Sequence, residues 1–65
     1  MAKFRRGDEV QLTHDLEKPA TGEKWSKGEK GKVLGNRCYD EVYDVYFPAR
    51  GDSLTVNDRD IKAAK

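Results

Sequence analysis

The stretch Tyr43-Asp44-Val45-Tyr46-Phe47-Pro48-Ala49-Arg50-Gly51-Asp52-Ser53-Leu54-Thr55-Val56-Asn57-Asp58-Arg59-Asp60-Ile61 decides the fold. Tyr43, Val45 and Phe47 alternate with Asp44 and Tyr46, and Leu54 and Val56 alternate with Ser53, Thr55 and Asn57. Successive side chains of a strand point to opposite faces, so apolarity with a period of two marks a strand with one buried face. The residues involved are largely β-branched or aromatic, the types that pack well on a pleated surface. Pro48 has no N–H to donate and ends the first run, and Gly51 is free to take a positive φ in the turn that follows. Asn57 to Asp60 then reads as one tight turn of 3₁₀ type, delivering Ile61 to a short last strand.

The same alternation extends toward the N-terminus. Val10 and Leu12 alternate with Glu9, Gln11 and Thr13 after a Gly7-Asp8 opening, and Val33 lies within Gly31-Lys32-Val33-Leu34-Gly35. No window carries apolar residues at helical spacing, and glycine interrupts the chain at 7, 22, 28, 31, 35 and 51. Asn36 to Glu41 is polar and joins the second strand to the third. Thr13 to Lys30 is a longer connection containing Pro19, Gly22 and Gly28, and loops of that length are usually functional or disordered. Trp25 in its middle argues that part of it packs down.

The expected order is strand, long loop, strand, hairpin, strand, hairpin, strand, single turn, strand. This is an all-β, five-stranded barrel of the SH3-like kind, one domain over residues 1–65, whose curled sheet limits exposed edges. Its expected core is Val10, Leu12, Val33, Tyr43, Val45, Phe47, Leu54, Val56 and Ile61, with Phe4 and Trp25 capping the ends.

A chain of 65 residues has room for one small core and is marginally stable. Its single cysteine, Cys38, excludes an intrachain disulfide, and one histidine without CxxC or HxxxH spacing leaves too few ligands for zinc. No metal or cofactor is expected, and a lone reduced thiol fits the cytoplasm. Met1 to Arg6 carries charge with no apolar run behind it, and no stretch nears the ~20 apolar residues of a membrane span. The net charge is +1, from 13 Lys/Arg against 12 Asp/Glu. A dedicated duplex-DNA binder carries a clearer basic excess, so the balance argues against nucleic acid.

Phe4-x-x-Gly7-Asp8-x-Val10, Lys27-Gly28-x-x-Gly31-x-Val33, Tyr43-x-Val45-x-Phe47, Leu54-x-Val56 and Asp60-Ile61 together resemble the signature spacing of SH3-like barrels. Similar patterns occur in KOW-type domains, in a small barrel protein of photosystem I, in the variable chain of ferredoxin–thioredoxin reductase and in the C-terminal domain of the nitrile hydratase β chain. The resemblance covers nearly the whole chain. It implies an accessory module that docks on a larger protein, or on nucleic acid, through loops at one end of the barrel.

Candidate contacts follow from what the core leaves over. Trp25, flanked by Lys24 and Lys27, either anchors a partner, as large aromatics do at binding hot spots, or lids the core, and the two roles are compatible. Tyr46 should point away from Tyr43, Val45 and Phe47, and Tyr39 also lies outside the alternating set; both are exposed-aromatic candidates or ordinary cross-strand packing. Lys18 to Lys32 holds five lysines and two glutamates. That segment is an attractor for an acidic protein surface or phosphates, or a solvated loop. Arg-Gly-Asp occurs at Arg6-Gly7-Asp8 and Arg50-Gly51-Asp52, each leading into an alternating apolar pair, so both read as turns entering strands. His14 and Asp15 are adjacent and point opposite ways in an extended segment, so they form no ready relay, and Cys38 reads as a turn thiol.

The expectation is a non-enzymatic docking module, an accessory or regulatory subunit. It binds a larger protein with an acidic surface through Lys24, Trp25, Lys27, Lys30, Tyr39 and Tyr46. The alternative is nucleic-acid binding in the KOW or cold-shock manner.

Overall fold

The computed structural model describes residues 3–36 and 41–64. The chain runs β1 (Glu9–Leu12), β2 (Leu16–Lys18), β3 (Glu23–Trp25), β4 (Lys30–Asn36), β5 (Val42–Phe47), β6 (Asp52–Asn57), a 3₁₀ turn (Asp58–Asp60) and β7 (Ile61–Ala63). Five strands form one antiparallel sheet in the order β6-β5-β4-β1-β7, and β2 pairs with β3 in a separate two-stranded sheet. All five strands read from alternation are present. Among the described residues no ladder joins β6 to β7, so the five-stranded sheet is open at both edges.

Alternation selects one face of this sheet as the core. Val10, Leu12, Val33, Tyr43, Val45, Phe47, Leu54, Val56 and Ile61 are buried together with Phe4 and Trp25, the expected set. The N-terminal segment is tied down through Tyr43, whose hydroxyl accepts from the Lys3 N–H at 2.7 Å and the Phe4 N–H at 3.0 Å. The Phe4 ring meets the Tyr43 ring edge-on, with centroids 5.5 Å apart.

The turns follow their local chemistry. Gly51 takes φ 66° between β5 and β6, where its N–H and that of Arg50 donate to the Phe47 carbonyl. The Asp60 carboxylate reaches back to accept from the Asn57 N–H at 3.0 Å, closing the single turn before β7. Asp8 accepts from the Arg5 N–H at 2.9 Å, so the first Arg-Gly-Asp is the expected bend into β1.

The segment Thr13 to Lys30 is not the irregular loop expected. Leu16, Glu17 and Lys18 pair with Trp25, Lys24 and Glu23, and Gly22 at φ 72° closes the hairpin. Three-residue strands with mixed polarity carry no period-two signal long enough to read. Connection 36–41 falls largely outside the described residues, and Cys38 and Tyr39 lie there.

Candidate functional site

Two structures are built from the long segment and its surroundings, and they divide the expected contact residues between them. The first is an ionic clamp that seats the hairpin. Arg50 donates from Nε to Glu29 Oε1 at 2.7 Å and from Nη2 to Glu29 Oε2 at 2.6 Å, a fork-on-fork pair that matches guanidinium to carboxylate. Glu29 Oε2 also accepts the Ser26 N–H at 2.7 Å, and Glu23 lies 3.8 Å from Arg50 Nη1. On the same side Lys18 Nζ donates to Asp52 Oδ2 at 2.9 Å. The Arg50 hydrogen bonds hold the Glu29 carboxyl below its usual range and raise the guanidinium above its own. The Lys18 ammonium acts likewise on Asp52, lowering it. Arg50 and Asp52 are thus both engaged within the chain, which explains the second Arg-Gly-Asp as an element of the clamp.

Trp25 lies beneath that clamp. It is 0% exposed, its ring meets Phe47 edge-on with centroids 4.8 Å apart, and the Arg50 guanidinium sits 4.3 Å from the ring centroid. The expected role as a partner contact is corrected: one neighbour takes the edge, a cation covers the face, and no ring surface remains to meet a partner. The role as a core lid holds. Its Nε1–H is buried and has no hydrogen-bond partner among the described residues.

The five lysines of the segment do not form one patch. Lys18 is held by Asp52, and Lys24 lies opposite Glu17 on the hairpin. The Lys27 backbone N–H donates to Asp15 Oδ1 at 2.7 Å in the turn after β3. Only Lys30 and Lys32 belong to the five-stranded sheet. Proximity in sequence fails here because the hairpin turns the chain away before β4 begins.

The second structure is the outer face of that sheet. Register aligns Glu9, Lys32, Tyr46 and Ser53 across β1, β4, β5 and β6, and aligns Lys62, Gln11 and Lys30 across β7, β1 and β4. Tyr46 is 39% exposed, as its parity requires, and Leu34 is 48% exposed. Leu34 sits at an irregularity where the β4–β5 register shifts between Val33 and Gly35. Such bulges re-aim a side chain. Lys30, Lys32 and Lys62 are exposed and make no ion pair among the described residues. Between Lys30 and Lys32 lies a hollow of about 270 Å³, lined by Glu9, Lys30, Gly31, Lys32 and Pro48.

Leu34, Lys32 and Lys62 were not among the expected contacts. Parity could have found two of them: Lys32 precedes the buried Val33, and Lys62 follows the buried Ile61. Leu34 depends on the bulge. Tyr39 lies outside the described residues.

A wider groove of about 480 Å³ runs along the hairpin past Asp15, Leu16, Glu17, Lys24, Trp25 and Ser26. His14 Nε2 lies 2.7 Å from Asp60 Oδ1, across the chain, whereas the Asp15 carboxylate serves the Lys27 N–H. Among the described residues no group of three His, Cys, Asp or Glu side chains could hold a metal, and no helix is long and apolar enough to cross a membrane. Comparison with protein-family models, with curated proteins and with solved structures found no match for this chain.

Proposed function

We propose that this chain is a non-catalytic docking module, an SH3-like small barrel acting in the cytoplasm as an accessory or regulatory subunit on a larger protein with an acidic surface. The observation that carries the reading is the outer sheet face. The two exposed large hydrophobic side chains of the described residues, Leu34 and Tyr46, stand beside Lys30 and Lys32, cations with no ion pair among those residues, with Lys62 two strands away. Apolar area supplies affinity and flanking charge supplies steering and specificity, which is the usual division of labour at a protein interface. A site carried by central strands is also held rigidly. The reading moves the contact surface from the long segment to the sheet and keeps only Lys30 and Tyr46 of the described expected residues at its centre.

The test is affinity capture from the native cell with wild-type chain and three variants. Tyr46→Ala and Lys30→Glu/Lys32→Glu should lose the captured partner, and Lys24→Glu on the hairpin should keep it. Equal recovery with all of them sinks the reading.

One observation favours a second reading, in which the partner is single-stranded nucleic acid. An exposed tyrosine beside lysines is the unit of a base-stacking platform. That reading requires oligonucleotide binding that weakens steeply with salt. No mobility shift at ~50 mM salt removes it.

A further inference from the structure

We infer that the outer face of the sheet takes an extended acidic segment laid along β4. Carboxylates at alternate positions meet Lys30 and Lys32, and an apolar or aromatic residue two positions further meets Leu34 and Tyr46. The inference rests on the docking reading above and names the occupant of that surface.

Spacing is the first support. Lys30 and Lys32 occupy alternate positions of one regular stretch of strand, so their side chains leave the same face about 6.6–6.8 Å apart, and Leu34 follows them, exposed, at the irregularity of β4. An extended ligand repeats at that same interval, and its alternate side chains point the same way. A chain reading acidic-x-acidic therefore matches Lys30 and Lys32 position for position, and an apolar residue beyond them falls toward Leu34. A helical ligand does not, because its same-face residues recur every three or four positions.

Sheet topology is the second. β4 is paired on one side with β5 and on the other with β1, and β1 is paired in turn with β7. At Lys32 both edges of β4 are taken, by Glu9 and by Tyr46, and at Lys30 the β1 edge is taken by Gln11, so a ligand that meets both lysines lies across the face with its side chains downward. The hollow between the two lysines provides the seat, with Pro48 as its apolar wall.

Charge is the third. Neither Lys30 nor Lys32 has an ion pair to give up among the described residues. Glu9, directly opposite Lys32, borders the hollow and keeps the face from being uniformly cationic. That acid is tolerable beside a ligand with a few fixed carboxylates. It opposes a phosphodiester backbone carrying charge at every nucleotide.

The experiment titrates the ¹⁵N-labelled full chain with the peptide acetyl-Ser-Glu-Ser-Glu-Ser-Phe-Ser-amide, and with its reversed sequence, since the spacing suits either direction. The same peptides with Gln for Glu, and oligothymidine, are the comparisons. Saturable amide shifts should appear at Lys30, Lys32, Leu34 and Tyr46 with at least one Glu peptide and vanish with its Gln form. Lys30→Gln and Lys32→Gln, both exposed and expected to fold, should each weaken binding about twofold to fivefold, the range for exposed ion pairs. Lys24→Gln should leave it unchanged.

Shifts confined to β2 and β3, equal binding of Glu and Gln peptides, or tighter binding of oligothymidine would each overturn the inference. Should no peptide bind while Lys30→Glu/Lys32→Glu still loses the cellular partner, the extended acidic segment is wrong and the docking reading stands. If the partner survives those substitutions as well, both fall.

Discussion

Gly31 is buried in β4 against the backbone and side chains of β5. A Cβ built there would lie 2.7 Å from the Tyr46 carbonyl oxygen and from Val45 Cγ1, and 3.1 Å from Phe47 Cδ2. A backbone oxygen inside a ladder cannot retreat, so Gly31→Ala should cost about 1–3 kcal/mol, the range for overpacking. Urea midpoints compared at constant slope measure it, and an unchanged midpoint would show that the two strands can part. Tyr43 supports a second prediction. Its hydroxyl accepts from two backbone N–H groups, so Tyr43→Phe should lose about 1–3 kcal/mol. Amide exchange at Phe4 should accelerate in the same variant. Position 31 was legible as a break in the strand pattern but not as a contact, because the atoms it would strike belong to β5. Tyr43 was legible as core by parity. The bonds from its hydroxyl to the N-terminal segment were not, since nothing local links residues so far apart in sequence.

The β2–β3 hairpin is held differently from the strands of the large sheet. Leu16 and Trp25 anchor it by burial, and Lys18–Asp52 and Arg50–Glu23 hold it by charge, with Arg50 itself fixed by Glu29. Arg50 also covers the Trp25 ring, which makes the single tryptophan a direct reporter of the clamp. Arg50→Ala should raise the quenching of Trp25 fluorescence by acrylamide. Arg50→Lys should raise it nearly as much, because an ammonium cannot reproduce the planar fork and stack together. Salt should act in the same direction on the wild type, since screening lengths shorten from about 10 Å at 0.1 M to about 3 Å at 1 M. Quenching that is indifferent to both the substitutions and the salt would mean that burial alone seats the hairpin. The clamp escapes a sequence reading because Arg50 belongs to a turn between β5 and β6 and Glu29 to the turn before β4. What did show locally was that Trp25 argues for packing within its segment.

The pH dependence of stability is a property of the whole chain, because it sums proton uptake over both states. Glu29 and Asp52 have carboxyls lowered by Arg50 and Lys18 respectively. The folded chain therefore binds fewer protons at these groups than the unfolded chain over the acid range. Their contribution is complete above the ordinary carboxylate values and is lost as pH falls through the lowered ones. Urea midpoints should hold steady down to about pH 5 and then drop toward about pH 3, with part of the slope carried by these two groups. Arg50→Ala and Lys18→Ala should each flatten that slope while lowering the plateau. If the variants and the wild type run parallel from about pH 5 to pH 3, the clamp carries no linkage. Screening at their exposed positions limits the size of the effect and leaves its sign intact.

Alternation in Val10–Leu12, Tyr43–Phe47 and Leu54–Val56 determined those strands, their inward faces and the core residues they carry. The signal is local: a half-buried strand writes its orientation into every second residue. The single turn before Ile61 and both Arg-Gly-Asp bends were legible for the same reason, since a turn is built from neighbours. Tertiary structure alone decided the rest. It folded Leu16–Lys18 onto Glu23–Trp25, set Arg50 over Trp25, closed the indole to partners, divided the lysines of residues 18–32 between two sheets and the turn that joins them, and brought Lys30, Lys32, Leu34 and Tyr46 onto one face. Each of those outcomes depends on which distant segments pair and in what register, and charge or aromatic content read along the chain carries no information about that pairing.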